Sequence, residues 1–235
     1  MSKKTPGKLQ PPPVAAEFDK LPIAKWCKSA EGVFYRLHST DPTTGKPWSA
    51  VFFSQYDRTR FDPVDGPGTL YVGESLAGAM LEIFDDHWGA VDSPNRTVTQ
   101  SELDTWWVSL IALPKTAMFQ TDGLSLSKIG TDMQLLSGDH ATARKWALRL
   151  GAHPATIGGI AYVSRHDNTR HNLAVFQRSH LFPDAHDDTL LPDATKIWKR
   201  KGKHGSGLIY GPAVKLRNHP ELTDSLLELE VGLLP

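Results

Sequence analysis

The stretch Leu70-Tyr71-Val72-Gly73-Glu74-Ser75-Leu76-Ala77-Gly78-Ala79-Met80-Leu81-Glu82 opens as a β-like run and continues as a helix. Thr69 to Gly73 is short and mostly apolar, the signature of a strand. From Ser75 to about Trp88, the residues Leu76, Met80, Ile83, Phe84 and His87 recur on one helical face. Ser75 stands where an N-cap or first-turn residue belongs. Positions 75, 78, 79 and 82 fall close together on such a helix, so Glu82 continues a stripe of Ser75, Gly78 and Ala79. The stripe has two readings. It leaves space beside a carboxylate, or it lets the helix pack closely on a sheet with Glu82 at the wet margin.

Outward from this junction, β-like runs recur at Val33 to His38, Ala50 to Ser54, Trp106 to Leu113, Gly159 to Ser164 and Leu173 to Phe176. A second helix is expected over Asp139 to Leu150, where Ala143, Trp146, Ala147 and Leu150 repeat, Asp139 can cap the start and Gly151 can end it. Strand and helix do not alternate regularly, which disfavours a doubly wound parallel sheet. The expected class is α+β, a single mixed domain with central β-sheets and a few helices. Residues 1–17, with Pro11-Pro12-Pro13 and almost no large apolar groups, read as a disordered N-terminal arm. The domain proper spans 18–183, and 184–235 form a C-terminal extension packed on it. Within the extension, Lys196, Lys199, Arg200, Lys201 and Lys203 read as a solvated hairpin, Lys196 to Trp198 and Gly207 to Tyr210 flanking a turn. The other reading is a patch that grips a phosphate or an acidic partner.

The 235 residues include 26 Lys plus Arg and 26 Asp plus Glu, so no global field draws nucleic acid or an anionic membrane, and direct nucleic-acid binding is not expected. With no apolar signal region behind Met1 and no apolar stretch long enough to cross a bilayer, the expected location is cytoplasmic. One cysteine, Cys27, fits a reducing compartment and argues against a cysteine-based zinc module. Ten histidines include no His-Glu-x-x-His, and His166 and His171 share no helical face, so no metal is expected. Gly73-Glu74-Ser75 misses the nucleophile-elbow spacing because the next glycine is Gly78. Neither G-x-G-x-x-G nor a P-loop occurs.

What remains is a set of islands that put polar residues on or beside apolar elements, where a polar group needs a partner or a ligand. These are Tyr35-Arg36, Thr59-Arg60-Phe61-Asp62, Leu70 to Gly73 running into Glu82, and Ile160 to Arg165. Arg36 alternates with Phe34 and so shares a strand face with it, although a surface arginine on an edge strand is the plain alternative.

Together the islands resemble the RES-domain family, named for its arginine, glutamate and serine, over about Val33 to Phe176. The matching fragments are "FYRLH" with Arg36, "RFDP" from Arg60, "LYVGES" from Leu70, "AGAMLE" ending at Glu82, "IAYVSR" with Ser164, and "HNLAVF" from His171. The chain departs from the pattern at Thr59, where a glycine is expected, and in a longer stretch between Arg36 and Arg60. The resemblance implies a fold similar to ADP-ribosyltransferase toxins, NAD as substrate with no metal, and a bacterial toxin that cleaves the nicotinamide–ribose bond as a glycohydrolase or phosphorylase. It also implies an Xre-type antitoxin as partner. The alternatives are a mono-ADP-ribosyltransferase acting on a protein, and a non-catalytic binding module that uses the basic 196–203 segment. The implied catalytic residues are Glu82, Arg36 and Ser164, and the NAD-binding residues are Arg36, Arg60, Tyr71 and Ser164. Physically, an ionised Glu82 can stabilise an oxocarbenium-like ribose, and the arginines offer forked donors to a pyrophosphate. Tyr71 offers a flat face or a hydroxyl, and Ser164 a hydrogen bond to the sugar or to Glu82. The apolar tail from Leu226 to Leu234 packs on its own domain, on a partner or on a second copy, so a homo-oligomer is an open expectation.

Overall fold

Two long strands carry the architecture. Trp106–Gln120 (labelled β4 in chain order) alternates buried and exposed positions, as a strand with one face on a core must. Cys27–Ser39 (β1) runs antiparallel to it along its whole length, from Cys27 opposite Phe119 to Ser39 opposite Trp106. The register slips once, between Ala30 and Gly32, and Gly32 takes the positive φ of 139° that such a bulge demands. The computed structural model describes residues 8–63, 65–88, 95–164, 167–178, 209–210 and 213–235.

Three shorter strands, Thr69–Gly73 (β2), Gly159–Val163 (β5) and His171–Phe176 (β6), complete a ring. The hydrogen-bonded order is β1-β2-β6-β5-β4, and β4 closes back on β1. All of these pairings are antiparallel except β4 with β5. Ile209–Tyr210 (β7) and Val214–Lys215 (β8) add to the free side of β4. Thr97–Thr99 (β3) and Gly232–Leu234 (β9) form a separate parallel pair.

The two-residue period sorts the strands' side chains into separate cores. Phe34, Leu70, Val72, Ile111, Leu113, Leu173 and Val175 pack with one another. Residues of the opposite parity, Ile160, Tyr162, Ala174 and Phe176, pack on His140–Gly151 (α6) through Trp146, Ala147 and Leu150. The third core lies under Leu76–Trp88 (α2), whose Leu76, Met80, Leu81, Phe84 and Trp88 meet Leu37 and Val108 of the sheet. Smaller helices, Ala15–Phe18 (α1), Gln100–Asp104 (α3), Gly123–Ile129 (α4), Gln134–Ser137 (α5) and Leu222–Glu228 (α7), fill the connections. The class is α+β, as expected, with one mixed central sheet. No helix among the described residues is long and apolar enough to cross a membrane.

Several local expectations change. Ala50 to Ser54 is not a strand: Ser54 makes an isolated bridge to Thr69, while Ala50 and Phe53 are buried by side-chain packing. Gly151 falls inside α6, which Ala152 ends, although Asp139 caps the start through the amides of Ala141 and Thr142. The arm expected to be disordered over 1–17 is docked from residue 8 onward. Leu9 is 5% exposed within the α6 core, and the Gln10 carbonyl accepts the indole N–H of Trp146 at 2.8 Å. Burial of one large apolar side chain and one otherwise orphaned indole donor is what holds a segment so rich in proline. Residues 1–7 lie outside the described part, as do 179–208, which hold the basic cluster and the proposed hairpin turn. The tail packs on its own chain: Leu216, Leu222, Leu226, Leu229 and Val231 are buried in the core under α2.

Candidate active site

The junction of β2 and α2 builds the site. Ser75 accepts the Gly78 amide at 3.0 Å, the N-cap expected of it, and starts α2 directly over the end of β2. Gly73 is required there. A Cβ on it would stand 2.9 Å from the amide nitrogen of Ala79 and 2.9 Å from Asn172 Oδ1. Gly78 and Ala79 are buried in the same contact. The small-residue stripe is therefore a close-packing surface, and Glu82 emerges where it ends, exposed to solvent on one side.

The other side of Glu82 is held. Tyr162 on β5 donates its hydroxyl to Oε2 at 3.2 Å, and Asn172 on β6 donates Nδ2 to Oε1 at 3.1 Å. The two donors are Cα partners across β5 and β6, and Asn172 faces Gly73 across β6 and β2. Tyr162 is 7% exposed, and burial, with the charge of Glu82 next, raises its pKa well above the usual phenol range. It therefore remains a donor to the carboxylate throughout the physiological range.

Arg36 lies between Phe34 and His38 on the face that the sequence assigns it. Its Nη1 donates to the Tyr71 carbonyl at 2.9 Å, while its buried Nε has no partner among the described residues. Burial lowers its pKa to about 10, opposed by the neighbouring phenols of Tyr71 and Tyr162, so it stays charged near neutrality. His38 beside it is fixed between the Trp48 carbonyl (Nδ1, 2.7 Å) and Ser109 Oγ (Nε2, 3.0 Å). Its pKa falls to about 4, first from burial and then from Arg36, and it is neutral.

Tyr71 does not turn its hydroxyl to an open site. The oxygen accepts the Phe61 amide at 2.6 Å and the Thr59 hydroxyl at 2.9 Å, tying the loop that carries Arg60 to β2. Thr59, the residue found where a glycine was expected, thus takes a specific part in the loop. Its own amide donates to Asp62, which is fully buried and also accepts from Ser54 and the Arg58 amide. Arg144 braces the loop from α6, donating to the Thr59 carbonyl and pairing with Asp57. Arg60 Nη1 donates to the Gly138 carbonyl at 2.7 Å and, at 3.5 Å, to that of Leu135, so one side of its guanidinium is anchored on α5. Ser164 directly follows β5, 2% exposed, and its amide donates to the Arg170 carbonyl.

Among the sequence-derived candidates, Arg36, Tyr71 and Glu82 gather around Tyr162, and Arg60 acts on the same phenol through its charge. Tyr162 and Asn172 lie inside the matching fragments, where neither carries an assigned role. Asn172 carried a usable signal, being an amide followed directly by Leu173-Ala174-Val175-Phe176. Among the described residues no cluster of His, Cys, Asp and Glu is built to hold a metal ion.

A family model described as the RES domain matches residues 33–196, continuing past Phe176, where the quoted fragments end. Among solved structures, a chain of the MbcT–MbcA toxin–antitoxin complex of M. tuberculosis aligns with a TM-score of 0.52 at 12% sequence identity. The alignment covers 85% of this chain and 90% of that one. At that identity the likeness is one of fold. No curated protein sequence matches the chain.

Proposed function

Because the chain belongs to the RES domain family, we propose that it is the toxin of a toxin–antitoxin pair and that it consumes NAD by breaking the nicotinamide–ribose bond. The observation that carries this reading is the two-point hold on Glu82. One carboxylate, on a residue exposed to solvent and held at its two oxygens by Tyr162 and Asn172, stands beside a sheet that encloses the Arg36 cation.

In the proposed reaction the bond between ribose C1′ and the nicotinamide nitrogen breaks heterolytically. Its electron pair leaves with nicotinamide, which departs neutral, and positive charge spreads over C1′ and the ring oxygen. A carboxylate already oriented needs no rearrangement to stabilise that charge. Arg36 supplies the opposite need, a cation fixed through Nη1 on the Tyr71 carbonyl that can face a phosphate. Arg60, held at one nitrogen by backbone carbonyls, adds a second cation. Tyr71 contributes its ring rather than its hydroxyl, since that oxygen is engaged by Thr59 and Phe61. Ser164 is assigned a hydrogen bond to the sugar. Water or phosphate then attacks C1′ and releases a proton. The solved relative comes from a complex with an antitoxin, and we assign this chain a cognate antitoxin of Xre type that blocks access to Glu82.

The test is nicotinamide release from NAD by purified protein. Wild type should release it, and Glu82→Ala should be slower by about a hundredfold or more, the usual cost of removing a transition-state charge partner. Equal release by the two proteins overturns the reading. Products identify the acceptor: free ADP-ribose means water, its phosphate ester means phosphorolysis, and label on protein in cell extract means mono-ADP-ribosyl transfer.

A further inference from the structure

The geometry points to Asn172 as the positioning residue of Glu82, a side chain that acts on the proposed reaction only by holding that carboxylate. The inference rests on the NAD reading given above and deepens it. Asn172 is 1% exposed, the second residue of a strand whose following residues, Leu173 to Phe176, are all apolar. A buried amide wants its donor and its acceptor both satisfied. Here Nδ2 donates to Glu82 Oε1 at 3.1 Å, but Oδ1 is buried with no partner among the described residues. An apolar side chain would fit this strand without leaving a polar atom stranded. The amide's one satisfied end therefore states its purpose. Rotating it by half a turn would set Oδ1 against a carboxylate oxygen and strand the donor instead, so the orientation follows from Glu82 itself.

Room for the amide is made by two glycines. A Cβ on Gly73 would lie 2.9 Å from Oδ1, and one on Gly78 would lie 3.5 Å from it. Asn172 and Tyr162, paired across β6 and β5, each take one oxygen of Glu82. Two donors on separate oxygens restrict the plane of the carboxylate more than either does alone. Otherwise a glutamate exposed on a helix samples many rotamers. Among the described residues, the charged or titratable groups that face it or its donors include Tyr162, Tyr71, Arg60 and Arg36 from the strands and the loop.

The deciding experiment titrates the Glu82 side-chain carboxyl by carbon-13 NMR in the intact protein without NAD, in wild type, Asn172→Asp and Asn172→Ala, and measures kcat and KM for NAD alongside. Asn172→Asp keeps the shape and replaces the donor by a second carboxyl. The Glu82 midpoint should rise by about one pH unit or more, because like charges resist ionising together. In both variants kcat should fall about tenfold, the worth of one charge-assisted hydrogen bond, with KM changed by less than about twofold. A purely structural asparagine would lower the melting temperature without moving the midpoint. An unmoved midpoint in Asn172→Asp overturns the proposal, and so does a moved midpoint with unchanged kcat. If Asn172→Asp does not fold, Asn172→Ala decides by the kcat and KM criterion. A wild type that releases no nicotinamide overturns the NAD reading, while the titration still decides whether Asn172 governs Glu82.

Discussion

His38 is 4% exposed and neutral in the fold, with a pKa of about 4 against an ordinary value of 6.5. The unfolded chain binds the proton more readily between those values, so the stability owed to neutral His38 is complete above about pH 6.5 and drains away as pH falls toward 4. That loss amounts to about 3 kcal/mol. Urea unfolding from pH 7 to pH 4 should show it, and His38→Gln, less stable at pH 7, should show a flatter profile over that window. Tyr162→Phe tests the second donor to Glu82. It leaves the ring packed against Phe61 and should slow nicotinamide release about tenfold with little change in melting temperature. Gly73→Ala should lower stability by about 1–3 kcal/mol, because the new methyl meets the Ala79 amide and Asn172 together.

At the scale of elements, magnitudes separate what holds α7 from what decorates it. Leu222 and Leu226 are each 6% exposed against α2, and truncating a leucine so placed costs about 2–4 kcal/mol. Glu228 pairs with Arg170 in the β5–β6 connection at 2.6 Å, but its side chain is 51% exposed. An ion pair so open to water contributes less than about 1 kcal/mol. Leu226→Ala should therefore destabilise clearly in denaturant titration and Glu228→Gln barely. Legibility in the sequence follows the same division between local and borrowed stability. Helix α2 was readable because its periodicity, its serine cap and its apolar face lie in one stretch. The first half of β1 was not, since Lys28, Ser29, Glu31 and Gly32 make no β-like run. They are strand because the far half of β4 supplies the ladder, a partner that no local window contains. The strand expected from Leu173 omits Asn172 for the same reason: an amide looks like a boundary until the carboxylate it donates to, ninety residues earlier in the chain, is in place.

For the molecule as a whole, the family domain and the folding unit differ in extent. The family match covers 33–196, yet Leu9, Phe18 and Ile23 lie in the α6 core and Leu216, Leu222 and Leu226 in the α2 core. A fragment limited to 33–196 forfeits several fully buried side chains, each worth about 1.5–3 kcal/mol, against the few kcal/mol by which domains are stable. It should melt without a cooperative transition in circular dichroism, whereas the 235-residue chain should unfold sharply. The closed ring also governs how the chain reaches this state. Even the nearest partners of β1 and β4, Ser39 and Trp106, are far apart in sequence, and outside the ring Thr97 pairs with Gly232, so ladders that define the fold join distant parts of the chain. Such topologies pay loop-closure entropy before any gain arrives and refold slowly. The donors to Glu82 lie on β5 and β6, so that carboxylate cannot be held at both oxygens until the chain has been made as far as Asn172.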